Sequence, residues 1–140
     1  LVLSGVAISM YGISRPAAGG EHRIAHCWEV AAANSGEDRF LHGNYVGLGT
    51  LVMARLYELA EPKEDLPPCE YMPSFSEIRS YLDKMRGYSS FETLGIDRAA
   101  LEESLRHAAE SNARYTLLNY LKDRGRLEAY IGLLSREFFG

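Results

Sequence analysis

His22 and His26 stand four residues apart, and Glu29 follows three residues after the second of them. On an α-helix, residues i and i+4 share a face, so both imidazoles project the same way with Glu29 near that stripe. His42 comes soon after, and only His107 of the four histidines lies outside this region. Neutral imidazole is a favoured ligand for zinc, iron and nickel. Two imidazoles from adjacent helices could form half of a divalent-metal site, although a catalytic metal normally takes three protein ligands and keeps one position open. The third donor would then be a carboxylate outside these residues. Histidine pairs at this spacing also occur as ordinary helix-surface or core-edge side chains. Glu21 precedes the first histidine, so the segment is not the HExxH motif of zinc proteases.

The surrounding periodicity is helical throughout. Leu1 to Gly12 reads as the end of a helix with Ile8 and Tyr11 on one face, and Gly12 to Pro16 reads as a turn. A helix is predicted from about Ala18 to Asn34, with Ile24, Cys27, Trp28 and Ala31 on its core side. Antiparallel packing of the next helix, Leu41 to Ala60, would return His42 to the side of His22. That helix carries Val46, Met53, Leu56 and Ala60 along one side. A proline-rich surface connector follows it. Ser76 to Arg86 repeats Ile78, Tyr81, Leu82 and Met85 at helical spacing. Asp97 should cap a helix with Leu101, Leu105 and Ala108 inward, and two more helices, Arg114 to Arg124 and Leu127 to Phe139, split at Gly125. No alternating strand pattern and no internal repeat is found, so the fold class expected is an all-α helical bundle. Gly47 and Gly49 each cost a helix roughly 1 kcal/mol relative to alanine. Their presence, like that of Gly19 and Gly20, points to close approach of another backbone or of a ligand.

A chain of 140 residues suffices for one domain with a real core. Hydrophobic residues make up 46% and charged residues 24%, and the net charge is -4. No basic cluster recommends a nucleic-acid or polybasic membrane partner. No apolar run approaches the ~20 residues of a membrane span, and the apolar opening lacks the basic flank of a signal peptide. Cys27 and Cys69 make neither a disulfide framework nor a CxxC site, so a reduced, cytoplasmic setting is expected. The chain begins at Leu1 rather than Met, which suggests part of a larger protein.

Two motifs agree in order and spacing with one family. SRPAAGGEHRIAHCWE, from Ser14 to Glu29, followed by LHGNYVGLGTLVMARLYE, from Leu41 to Glu58, resembles the C-terminal half of glycerol-1-phosphate dehydrogenases. These belong with iron-containing alcohol dehydrogenases, glycerol dehydrogenases and dehydroquinate synthases. The family pattern is roughly SRPxSGxEHxxxHxxE and then LHGxxVGxGTL. The resemblance is most specific from Leu1 to about Tyr57. It departs at Ala18, where a serine is frequent, and at Ile13, where small or polar residues are commoner.

The resemblance implies a helical domain like the C-terminal domain of a dehydroquinate synthase-like enzyme, spanning residues 1–140 as one metal- and substrate-binding unit. An N-terminal NAD(P)-binding domain would be absent from this chain and would be its partner. By the same resemblance His22 and His42 are metal ligands, for zinc, nickel or iron, and a third ligand lies upstream of Leu1. His26 serves proton relay or positioning, and Glu21 orients a ligand. Ser14 and Arg15 face a substrate phosphate from a turn before a helix N-terminus. The implied reaction interconverts sn-glycerol 1-phosphate and dihydroxyacetone phosphate with NAD(P), and the fragment alone would be inactive. The partner is then a small phosphorylated polyol or ketone, with no nucleic acid and no membrane, and with room for a homo-oligomer. Two alternatives stand beside this one. One is another superfamily substrate, such as free glycerol. The other is a non-catalytic helical interaction module, with LVLSGVAISMYG as its contact surface.

Overall fold

The computed structural model describes residues 6, 9–10, 12, 19–36, 40–66, 73–84, 90–111 and 114–140. The expected helix of Leu1 to Gly12 falls largely outside these residues. Ser14, Arg15, Ala18 and Cys69 fall wholly outside them. Among the described residues six helices run in the order α1 (Gly20–Ser35), α2 (His42–Ala60), α3 (Phe75–Lys84), α4 (Arg98–Glu110), α5 (Leu117–Asp123) and α6 (Leu127–Phe139). No strand occurs among the described residues, so the all-α expectation holds. None of these helices is long and apolar enough to cross a membrane.

The α2 helix is the centre of the bundle. It packs along α1 over the largest contact and also touches α3 and α6, while α4 joins α1, α5 and α6. Its apolar surface is therefore wider than the single stripe expected. Tyr45, Leu48, Leu51, Val52, Met53, Leu56 and Ala60 are all buried, whereas Val46 is only half-buried. A helix enclosed on three sides loses the polar face that makes periodicity readable. Two other assignments shift in the same way. Ala31 is exposed and Cys27 half-buried, because the core side of α1 narrows to Ile24, Ala25 and Trp28. Tyr81 is exposed on α3, an outer helix with no fully buried residue.

Local chemistry sets the helix ends. The α1 helix stops at Gly36, whose φ of 74° lets its N–H return to the carbonyls of Ala32 and Ala33. Asp97 caps α4 as expected, its side chain accepting from the Ala100 N–H at 2.8 Å. Asp97→Ala should lower the stability of the chain by about 1 kcal/mol, read as an earlier urea midpoint with unchanged slope. The helix expected from Arg114 begins later, at Leu117. Asn119 accepts from both the N–H and the hydroxyl of Thr116, at 2.9 and 2.8 Å, and this holds Thr116 outside the helix.

The segment between α3 and α4 contributes to the core without being helical. Phe91, Leu94 and Ile96 are buried there. Phe91 meets Trp28 edge-on at 6.2 Å and lies 5.0 Å from the rings of both Phe138 and Phe139. This aromatic cluster ties α1 to the end of α6.

Candidate functional site

Gly49 lets α2 meet the backbone of α1, and Gly20 leaves room on α1 for the Met53 side chain. A Cβ on Gly49 would lie 2.6 Å from the Glu21 carbonyl oxygen, and one on Gly20 would lie 2.9 Å from the methyl of Met53. Glu21 thus meets Gly49 while Glu29 meets His42, so the helices run antiparallel. Asn44 starts α2 at His42: its side-chain oxygen accepts from the Leu41 N–H at 2.9 Å, and its own N–H donates to the Leu41 carbonyl at 2.9 Å.

This packing brings together three of the histidines. The rings of His22 and His42 lie 5.4 Å apart between centroids, and those of His26 and His42 6.4 Å apart. Each of the first two has a carboxylate on Nδ1, Glu21 at 2.9 Å for His22 and Glu29 at 2.6 Å for His42. The other Glu29 oxygen stands 3.7 Å from Nδ1 of His26, beyond hydrogen-bond reach. His22 is one-third exposed, His42 half-exposed and His26 three-quarters exposed. Burial by itself would raise the Glu21 carboxyl, yet it is held below the ordinary carboxylate range by hydrogen bonds from His22 and from the Gly19 N–H at 2.6 Å.

The donor set suits a divalent metal in part. The His22 and His42 rings approach one another with Nδ1 of each already held by a carboxylate. Among the described residues no three His, Cys, Asp or Glu side chains converge as a complete ligand set. His107 stands apart from the trio. It lines a groove of about 590 Å³ between α1 and α4 that also reaches Arg23, His26 and Cys27. The Cys27 thiol is pushed up by burial and donates to the Arg23 carbonyl, so it is no activated nucleophile.

Two residues of this region carry more than their sequence signals. Glu29 was legible as a neighbour of the histidine stripe but not as the partner of His42. Arg23, between the motif residues, carries no motif signal, and its guanidinium partners lie 85 or more positions away.

No model of a known protein family matches the chain. Individual proteins do. The chain is 31% identical to the glycerol-1-phosphate dehydrogenase, NAD(P)+, of Bacillus velezensis, over 93% of this chain and 36% of that protein. It is 32% identical to the enzyme of that name from Metallosphaera sedula, over 98% of this chain and 33% of the relative. The corresponding protein of Archaeoglobus fulgidus is 31% identical over 87% and 31%. The chain spans about a third of the length of the curated relatives it matches. The match covers nearly the whole of this chain, and the relatives agree in name, so the chain is similar to one part of a glycerol-1-phosphate dehydrogenase.

Proposed function

We propose that this chain is the metal- and substrate-binding domain of an NAD(P)-dependent oxidoreductase that interconverts sn-glycerol 1-phosphate and dihydroxyacetone phosphate. The observation that carries the reading is the approach of His22 and His42, from two helices, to 5.4 Å between ring centroids. The names of the relatives support the phosphorylated substrate over free glycerol.

His22 and His42 would hold zinc, nickel or iron, with a third donor from residues outside this chain. Such an ion, when bound, lowers the pKa of a substrate hydroxyl and polarises the corresponding ketone, while NAD(P) carries the hydride. The chain's own residues do the positioning. Glu21 fixes the His22 ring through Nδ1. His26, the most exposed of the three, can pass a proton between the substrate side and water through its ring nitrogens. Ser14 and Arg15 receive the substrate phosphate in this reading. The NAD(P)-binding domain is the partner that completes the cleft, and the setting is cytoplasmic.

The test is metal content. The 140-residue chain and its His42→Ala and His22→Ala variants are dialysed against Zn2+, Ni2+ or Fe2+, and bound metal per chain is measured by mass spectrometry. Metal retained by the parent chain and lost by both variants is the expected result. Equal metal in all three would reject the ligand assignment.

A further inference from the structure

We propose that Glu29 is a positioning residue that selects the Nδ1–H tautomer of His42 and thereby frees its Nε2 as the donor atom. The inference deepens the metal reading above and rests on it only for its metal-binding half. Glu29 sits one turn along α1 from His26, yet its short contact is to His42 across the helix interface, at 2.6 Å. An ionised carboxylate has only acceptor oxygens, so this bond requires the proton on Nδ1 of His42. The tautomer of a histidine is set by the bond its other nitrogen makes. With Nδ1 occupied, only Nε2 retains a lone pair.

The geometry separates His42 from its neighbour. The second Glu29 oxygen is 3.7 Å from Nδ1 of His26, too far to fix that ring. His26 is also three-quarters exposed, so water competes for both of its nitrogens. One carboxylate therefore locks the ring proposed for ligation and leaves the ring proposed for proton movement free. Such an arrangement holds a ligand still while keeping a relay adaptable. The contact to His42 also gives a reason for an acidic residue at this position of α1, where Val30, Ala31 and Ala33 beside it are exposed and without charge.

Long-range 1H–15N NMR of the histidine rings in the metal-free 140-residue chain, above the histidine titration range, reads the tautomers directly. His42 should be in the Nδ1–H form, and His26 should show the mixed population of an exposed imidazole. Glu29→Ala should return His42 towards that mixed population with His22 unchanged. Glu21→Ala should move His22 and leave His42 alone. In a parallel Zn2+ titration, Glu29→Ala should raise the dissociation constant about 10- to 100-fold, the effect ordinary for loss of a carboxylate behind a ligating histidine. Finding His42 in the Nε2–H form in the parent chain overturns the proposal without any variant. So does a His42 tautomer that ignores Glu29→Ala. If the tautomer responds as stated but the parent chain binds no Zn2+, the positioning role stands and the metal reading is what fails.

Discussion

Gly49→Ala is expected to destabilise the chain by about 2 kcal/mol, although the same substitution in a free helix would stabilise it. Alanine gains about 1 kcal/mol over glycine in a helix interior. At Gly49 the added methyl would stand 2.6 Å from the Glu21 carbonyl oxygen, 3.3 Å from its carbon and 3.4 Å from its Cα. These are backbone atoms in the first turn of α1, so no side-chain rotation relieves the clash. Overpacking of this kind costs about 1–3 kcal/mol, and rigid partners put the site at the upper end of that range. Gly132→Ala is the matched comparison. Gly132 lies inside α6 with nothing within 4 Å of its would-be Cβ, so that variant should gain up to about 1 kcal/mol. Urea unfolding of the two variants should therefore shift the midpoint in opposite directions. Because Glu21 adjoins His22, separating the helices also alters the His22–His42 distance. Zn2+ binding should weaken in Gly49→Ala and stay unchanged in Gly132→Ala. A Gly49→Ala chain as stable as the parent would mean that the helices do not meet at this depth.

Arg23→Met should cost about 3 kcal/mol, the largest loss expected from a residue that is not fully buried. The Arg23 guanidinium donates to the carbonyls of Ala108 at 3.1 Å, Ser111 at 3.0 Å and Arg114 at 2.6 Å, and to the side-chain oxygen of Asn119 at 3.4 Å. Helix ends leave their last carbonyls without partners, and α4 ends at Glu110. Arg23 satisfies those orphans together with Asn119, which donates to the Ala109 and Ser111 carbonyls at 2.9 and 3.1 Å. Hydrogen bonds to a charged group contribute about 1.5–3 kcal/mol, and methionine keeps the stem while removing every donor. Burial, with the nearby Arg114 guanidinium, pulls the Arg23 pKa down. A guanidinium tolerates this and remains charged. Arg23→Lys should recover little, since one ammonium cannot reproduce a planar fork aimed at several carbonyls. Guanidinium chloride unfolding measures the loss. Arg23 ties the α1 helix that carries His22 and His26 to the α4–α5 corner, beside the packing of α1 on α4, so the variant's Zn2+ affinity should fall with its stability. Arg23→Met as stable as the parent would show that water replaces these bonds at no cost.

Much of this molecule was readable along the chain because its signals are local. The cap at Asp97, the break at Gly125 and the 3.6-residue repeats of α1, α4 and α6 depend on neighbours within a turn or two. The histidine spacing likewise placed His22 and His26 on one face, and the expected antiparallel packing of the next helix brought His42 back to them. Side-chain identity and helical period suffice for such statements.

Other features had to await the packed chain, since their causes lie far off in sequence. Whether Ala31 faces the core, why Arg114 stays outside a helix, and how Arg23 closes the end of α4 are decided by partners that only folding supplies. Phe91, Leu94 and Ile96 join the core from a non-helical segment, where no periodicity announces them. Gly47 and Gly49 foretold a close approach without naming its object, and the object proved to be the backbone of Glu21 at Gly49 and the Leu82 side chain at Gly47. The pairing of Glu29 with His42 rather than with His26, its neighbour on the same helix, belongs to the same class. Helical spacing defines which residues share a face, but the partner across an interface depends on how deeply two helices interlock, and that depth is a property of the whole core.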